Sequence, residues 1–194
     1  PLKRITADSM VGKLVWQLAS NRIAVYSPHT SWDSAPRGIN WQLAKALNLN
    51  DIRPIIPSDQ DNQGDAILGS GRIGVLESPA ELSTIAELLC KQIPHCRPRA
   101  VLRSKPIQSV AICCGSGGSL LDAAVLAGCD LFVTGEATFH SCLEAQYHGV
   151  GMLMVGHFAS ERFAMENLAK QIQEQFPSIQ CWASENEHDP VCTL

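Results

Sequence analysis

Residues 109–155 read SVAICCGSGG SLLDAAVLAG CDLFVTGEAT FHSCLEAQYH GVGMLMV, and this stretch decides the fold class. Three apolar runs, Ser109–Cys114, Asp130–Thr134 and Gly151–Val155, are bounded by glycines and polar turns. They are too short for helices and read as buried strands. Between them, Ser119–Ala127 and Thr138–Tyr147 have helical character. Strands alternating with helices at this spacing predict crossover connections and a largely parallel sheet covered on both faces. The expected class is α/β.

Working outward, Ser160–Gln175 reads as a helix capped by Ser160, and Gln180–Ala183 as a last strand. Upstream, Ala100–Arg103 is a short strand, and Pro79–Lys91 an amphipathic helix started by Ser78. Gly69–Leu76 (GSGRIGVL) is a glycine-rich strand with a bulge. Residues 51–65 carry prolines, a glycine and several aspartates, and read as a linker or an excised insertion. Residues 38–48 form a helix, Arg22–Ser27 (RIAVYS) a buried strand, and a helix starting near Thr6 and Asp8 ends at Asn21.

The chain has 194 residues, 15 Lys plus Arg and 19 Asp plus Glu, for a formal charge of −4. This mild acidity opposes a nucleic-acid role, which needs a basic face for phosphates. No apolar run approaches the ~20 residues of a membrane span. The eight cysteines, Cys90, Cys96, Cys113, Cys114, Cys129, Cys142, Cys181 and Cys192, contain no Cys-x-x-Cys pair. They are expected to be reduced thiols in a cytoplasmic protein.

The chemistry-bearing residues fall just after the predicted strands. His29 and Asp33 follow 22–27, Gly115-Ser116-Gly117-Gly118 follows 109–114, Glu136 and His140 follow 130–134, and His157 and Glu161 follow 151–155. In open α/β sheets ligands bind beyond the carboxyl ends of strands, so parallel strands would gather these loops at one crevice. Glu161 continues the inward stripe of its helix, where a carboxylate needs compensation. Spacing leaves two readings open: a cation held with His157, suiting zinc, manganese or iron, or a first-turn Glu complementing the helix dipole. His29-x-x-x-Asp33 is either a ligand pair or an ordinary turn. The Gly115–Gly118 loop exposes backbone amides to an anion or is a tight strand-to-helix turn. His140, Glu144 and His148 form a polar stripe that is a rival metal site or a solvated face.

Six stretches, in order, resemble the NIF-three-like family, whose members are named as homologues of type-two GTP cyclohydrolase. They are PLKRIT at 1–6, SPHTSWD at 27–33, GSGRIG at 69–74, CGSGGSLL at 114–121, TGEATFH at 134–140 and GHFASER at 156–162. The resemblance implies a three-layer α/β/α fold with mixed, mostly parallel sheets and two similar intertwined halves, forming one domain over 1–194. It also implies a toroidal homohexamer with two divalent ions per subunit. Its metal ligands fall on Asp33, His157 and Glu161. His29 and His140 match positions beside the cleft and are assigned roles in supporting the ligands or in proton transfer. The family's upstream His-His-Pro ligand motif precedes Pro1, so the chain is expected to be truncated there. The expected function is metal-dependent hydrolysis of a small substrate, nucleotide-like or phosphorylated, seated by Gly115, Ser116, Gly117 and Gly118. The alternative is a non-catalytic metal-binding or interaction scaffold. Neither nucleic acid nor membrane is expected as a partner.

Overall fold

The computed structural model describes residues 5–58 and 68–192. The predicted parallel centre is present: β6 (Ile107–Cys113), β7 (Leu131–Thr134) and β8 (Gly151–Met154) pair in parallel in that order. The crossovers are α5 (Leu121–Leu126), preceded by a 3-10 turn at Gly117–Leu120, and α6 (Phe139–Tyr147), capped by Thr138. Outer strands extend the sheet on both sides. β4 (Arg72–Ala80) lies against β6, β1 (Asn50–Arg53) against β4, and β5 (Arg99–Val101) against β8. These three outer pairings are antiparallel, so the six-stranded sheet is mixed and its parallel part is confined to β6, β7 and β8.

The alternation of each strand sends side chains to opposite faces. Val110, Ile112, Leu131, Val133 and Leu153 pack with α3 (Ile39–Ala46), α4 (Leu82–Gln92) and Ala159 of α7 (His157–Arg162). Ala111, Phe132, Met152 and Met154 pack with Leu121, Ala124 and Ala145 of α5 and α6. Two cores on two faces make three layers, as expected.

Several local expectations are corrected. Arg22–Ser27 follows α1 (Met10–Ser20) but forms no strand, and Ile23, Val25 and Tyr26 are exposed. Its apolar run has the right pattern, but no described strand pairs with it. The linker reading of 51–65 gives way to β1 and to β2 (Ile56–Pro57), which pairs with β3 (Gly69–Ser70); the remainder of that reading lies outside the described residues. β4 runs through Pro79 to Ala80, past the expected helix start, because an irregularity between Val75 and Ala80 lets the strand rejoin β6 at Ile107. Proline is tolerated at such a place. The expected 160–175 helix is two helices, α7 and α8 (Met165–Gln175). Gln180–Ala183 is irregular rather than a strand. Cys90 and Cys96 are paired in a disulfide, not reduced: the end of α4 and the returning loop bring their Cα atoms to 5.1 Å. Among the described residues no helix is long and apolar enough to cross a membrane.

Candidate metal centre

The carboxyl ends of β6 and β8 open on a polar cavity of about 340 Å³. It is lined by His29, Asp33, Asn40, Cys113, Cys114 and Glu161, and also by His157 and the small hydroxyls of Thr30, Ser34, Ser70, Ser116 and Ser119. Beside it lies a cavity of about 430 Å³ with apolar walls, including Tyr26, Trp32, Phe158, Met165 and Leu168. His29, Asp33 and Glu161 line both.

Gly156, at φ 101, turns the chain from β8 into α7, whose first residue is His157. Parallel pairing sets β7's exit beside β8's exit, and Gly156 N–H donates to the Gly135 carbonyl at 2.9 Å. Glu136 therefore reaches His157: its Oε1 is 2.9 Å from Nδ1. The other ring nitrogen, Nε2, is 3.3 Å from Glu161 Oε1, one turn along α7. The Glu136 bond is the main influence raising the His157 pKa above its ordinary value. A carboxylate that fixes one imidazole nitrogen while the other faces the site is the usual support of a metal-ligating histidine.

The glycine loop shapes this pair. Gly115 has φ +59, and a Cβ there would collide with Glu161 Oε1. Only glycine satisfies both demands. Two of the loop's amides are engaged: Gly115 N–H donates to Ser160 Oγ at 2.9 Å and Gly117 N–H to Thr134 Oγ1 at 3.1 Å. Ser160 is thus a tie inside α7, not its cap, and its hydroxyl donates to the His157 carbonyl. Of the four loop residues expected to seat substrate, Ser116 and Gly117 line the polar cavity and Gly115 and Gly118 do not.

Asp33 reaches the cavity on α2 (Thr30–Ser34). The chain enters α2 through His29 at φ 46, a conformation a non-glycine residue rarely adopts. Two buried side chains hold this arm. Asn40 Nδ2 donates to the Asp33 carbonyl at 3.1 Å, and its Oδ1 accepts from Cys114 N–H at 2.7 Å. Arg72 donates from Nη2 to the carbonyls of Ser34 and Ala35, at 3.0 and 2.7 Å, and from Nη1 to those of Gly69 and Gly71. Burial pushes the guanidinium pKa down, although Arg stays charged. Neither role was anticipated. Asn40 carries no signal, whereas Arg72 stands out as the one charge opening an apolar strand.

At both carboxylates burial outweighs the nearby histidines. Burial pushes Asp33 up, against the Cys114 thiol hydrogen bond and the charges of His29 and His157. Burial also pushes Glu161 up, against His157, with Asp33 adding to the rise. One imidazole and two under-compensated carboxylates are donors of the types that suit a divalent transition ion. The set is open: among the described residues, no three His, Cys, Asp or Glu side chains are grouped closely enough to hold an ion. His140 stands apart, exposed on α6 and lining neither cavity. Glu144 and His148 are exposed with it, a solvated face.

The family model of Duf34/NIF3 (NGG1p interacting factor 3) matches residues 1–190. The chain belongs to that family. NIF3-like protein 1 of Drosophila melanogaster is 37% identical over 202 residues, covering all of this chain and 65% of the relative. The GTP cyclohydrolase 1 type 2 homolog of Streptomyces coelicolor is 32% identical over 174 residues, covering 88% of this chain and 60% of the relative. The chain thus spans less than two thirds of the length of these two relatives. The crystal structure of the Staphylococcus aureus hypothetical protein SA1388 superposes with a TM-score of 0.83 at 26% identity, covering 100% of this chain and 76% of that one.

Proposed function

We propose that the chain binds divalent metal through Asp33, His157 and Glu161 and serves as a metal-dependent hydrolase of a small substrate. The observation that carries this reading is the junction: Asp33, Glu161 and His29 face the polar and the apolar cavity at once. A substrate lying across both would present its central bond to those residues. A bound divalent ion would supply Lewis acidity and make neighbouring water more acidic. The chain's own residues do the rest. Glu136 orients His157. His29 moves a proton at the junction. The hydroxyls of Thr30, Ser34, Ser70, Ser116 and Ser119 orient a polar arm such as a sugar or phosphate. Tyr26, Trp32 and Phe158 hold a flat apolar part and exclude water. The relatives' GTP cyclohydrolase name agrees with a substrate of this two-part kind, and a homo-oligomeric ring and cytoplasmic location are proposed from the same likeness.

The test begins with metal content per chain after purification without chelator, for the wild type, Asp33→Ala and Glu161→Ala. The expected outcome is bound zinc, iron or manganese in the wild type and its loss in both variants. Turnover is then screened on nucleotides and phosphate esters. Metal without any turnover would favour the scaffold reading, and absence of metal in the wild type would overturn the site.

A further inference from the structure

Residues 177–192 follow α8 without helix or strand, and most of them are exposed. Three side chains from elsewhere pin this segment. Gln173 Nε2 donates to the Ile179 carbonyl at 2.7 Å, and its Oε1 accepts from Cys181 N–H at 2.9 Å. Arg97 Nη1 donates to the Val191 carbonyl at 3.1 Å. Between these two pins Arg162, the last residue of α7, donates from Nη2 to the Ser184 carbonyl and pairs through Nε with the Glu187 carboxylate. Its Nη1 donates to Glu166 Oε1 at 2.6 Å.

The Arg162–Glu187 pair stands in the wall of the apolar cavity, beside Phe158, Met165 and Leu168. Arg162 is the one lysine or arginine among the residues lining that cavity, and it shares the wall with the carboxylates of Asp33 and Glu161. Its two carboxylate partners are tethered differently. Glu166 is fixed in α8, four residues on, whereas Glu187 is carried by a segment that buries little. Contacts of such a segment open at low cost. The planar fork of an arginine fits any carboxylate or phosphate. A ligand bringing its own anionic group would exchange one anion for another at Arg162 and leave the charge of the cavity unchanged. A neutral ligand has nothing to offer in place of Glu187.

We propose that Arg162 anchors a phosphate-type oxyanion on the outer edge of a flat ligand held in the apolar cavity, and that Glu187 occupies this anchor in the unliganded chain as a built-in competitor. The inference deepens the small-substrate reading above by giving the charge of the group at this edge. Binding breaks the Arg162–Glu187 pair and frees the segment around Glu187. The two members of one ion pair therefore act on binding in opposite directions.

The experiment is calorimetric titration of the whole chain with phenylphosphonate, a flat ring bearing an oxyanion, at constant ionic strength. Benzylamine serves as its cationic counterpart. The wild type is expected to bind phenylphosphonate more tightly than benzylamine. Glu187→Gln should bind phenylphosphonate about fivefold more tightly, the size of a partly exposed ion pair that no longer has to open. Arg162→Gln should lose the binding, and Arg162→Lys, which keeps the charge without the fork, should recover part of it. Phenylphosphonate should also speed cleavage after Glu185 by a glutamate-specific protease in the wild type. Equal affinity in the wild type and Glu187→Gln, or an unchanged cleavage rate, would overturn the competitor. Binding that survives in Arg162→Gln would place the anion elsewhere and overturn the anchor. Tighter binding of benzylamine, or no binding of phenylphosphonate to the wild type and Glu187→Gln alike, would overturn the proposal whole. Should Arg162→Gln not fold, Arg162→Lys decides: undiminished affinity relative to the wild type overturns the anchor. Metal content and turnover are read separately, so the hydrolase reading can fail while the anchor holds, and the reverse.

Discussion

His157 and Glu161 stand one turn apart on α7, whereas Asp33 reaches the same cavity on a five-residue helix held by side chains from elsewhere. The first arm is local. Helix geometry brings residues four apart onto one face, and parallel pairing of β7 with β8 delivers Glu136 to the histidine. The second arm is assembled at long range: Arg72 lies 38 positions from Ser34, and Asn40 spans 74 positions to Cys114. A short helix has no stability of its own, so Asp33 is placed only as well as Asn40 and Arg72 are. Remote substitutions should therefore damage the Asp33 arm while sparing the His157 arm.

The largest expected effect is at Arg72. Arg72→Met removes the donor from four carbonyls. With ~1–3 kcal/mol for each buried group left unsatisfied, and some regaining water, the loss should be about 4 kcal/mol in urea unfolding. A loss below about 1 kcal/mol would mean that α2 does not depend on this clamp. Asn40→Leu comes next, at about 2 kcal/mol, since it orphans the buried Cys114 amide. In both variants the Glu136–His157 contact should persist, visible as an unshifted His157 titration by NMR.

Gly115→Ala attacks the other arm. The left-handed backbone costs an alanine ~1–2 kcal/mol, and the new methyl collides with Glu161. Metal affinity should fall while the contacts of Asn40 stay intact; unchanged affinity would show that Glu161 is not a ligand.

The smallest effect is at Glu136. Glu136→Gln should bring the His157 pKa down toward 6.5, because the carboxylate bond is its leading cause of elevation. The sign follows from a raised folded-state value. The pair's contribution to stability is complete below pH 6.5 and is lost as pH rises through the folded pKa. Both side chains are about half exposed, so the difference between wild type and variant should stay under ~1 kcal/mol. A difference that grows with pH would contradict the assignment.

Legibility in the sequence follows the same division. The β6–β8 centre and its crossovers were readable because each strand is a bounded apolar run and each helix fits its spacing. RIAVYS had an equally good pattern at 22–27, yet a strand requires a partner, and periodicity does not supply one. The pairs β2–β3 and Cys90–Cys96 were missed for that reason too: each is a meeting of two segments, neither of which announces it. His29 was singled out and lies at the junction of both cavities; His140, equally prominent in the sequence, does not reach it.

Local pattern alone carries the order of strands and helices in the centre, the family, and the placing of Glu136, His157 and Glu161 just beyond strand ends. These depend on interactions within a few residues, so pattern records them. Which of the chemistry-bearing residues share a cavity depends on long-range packing. Asn40 and Arg72 hold Asp33 in place by bonding backbone carbonyls and an amide, and backbone groups are the same at every position. No residue pattern can say which carbonyl a distant side chain will find.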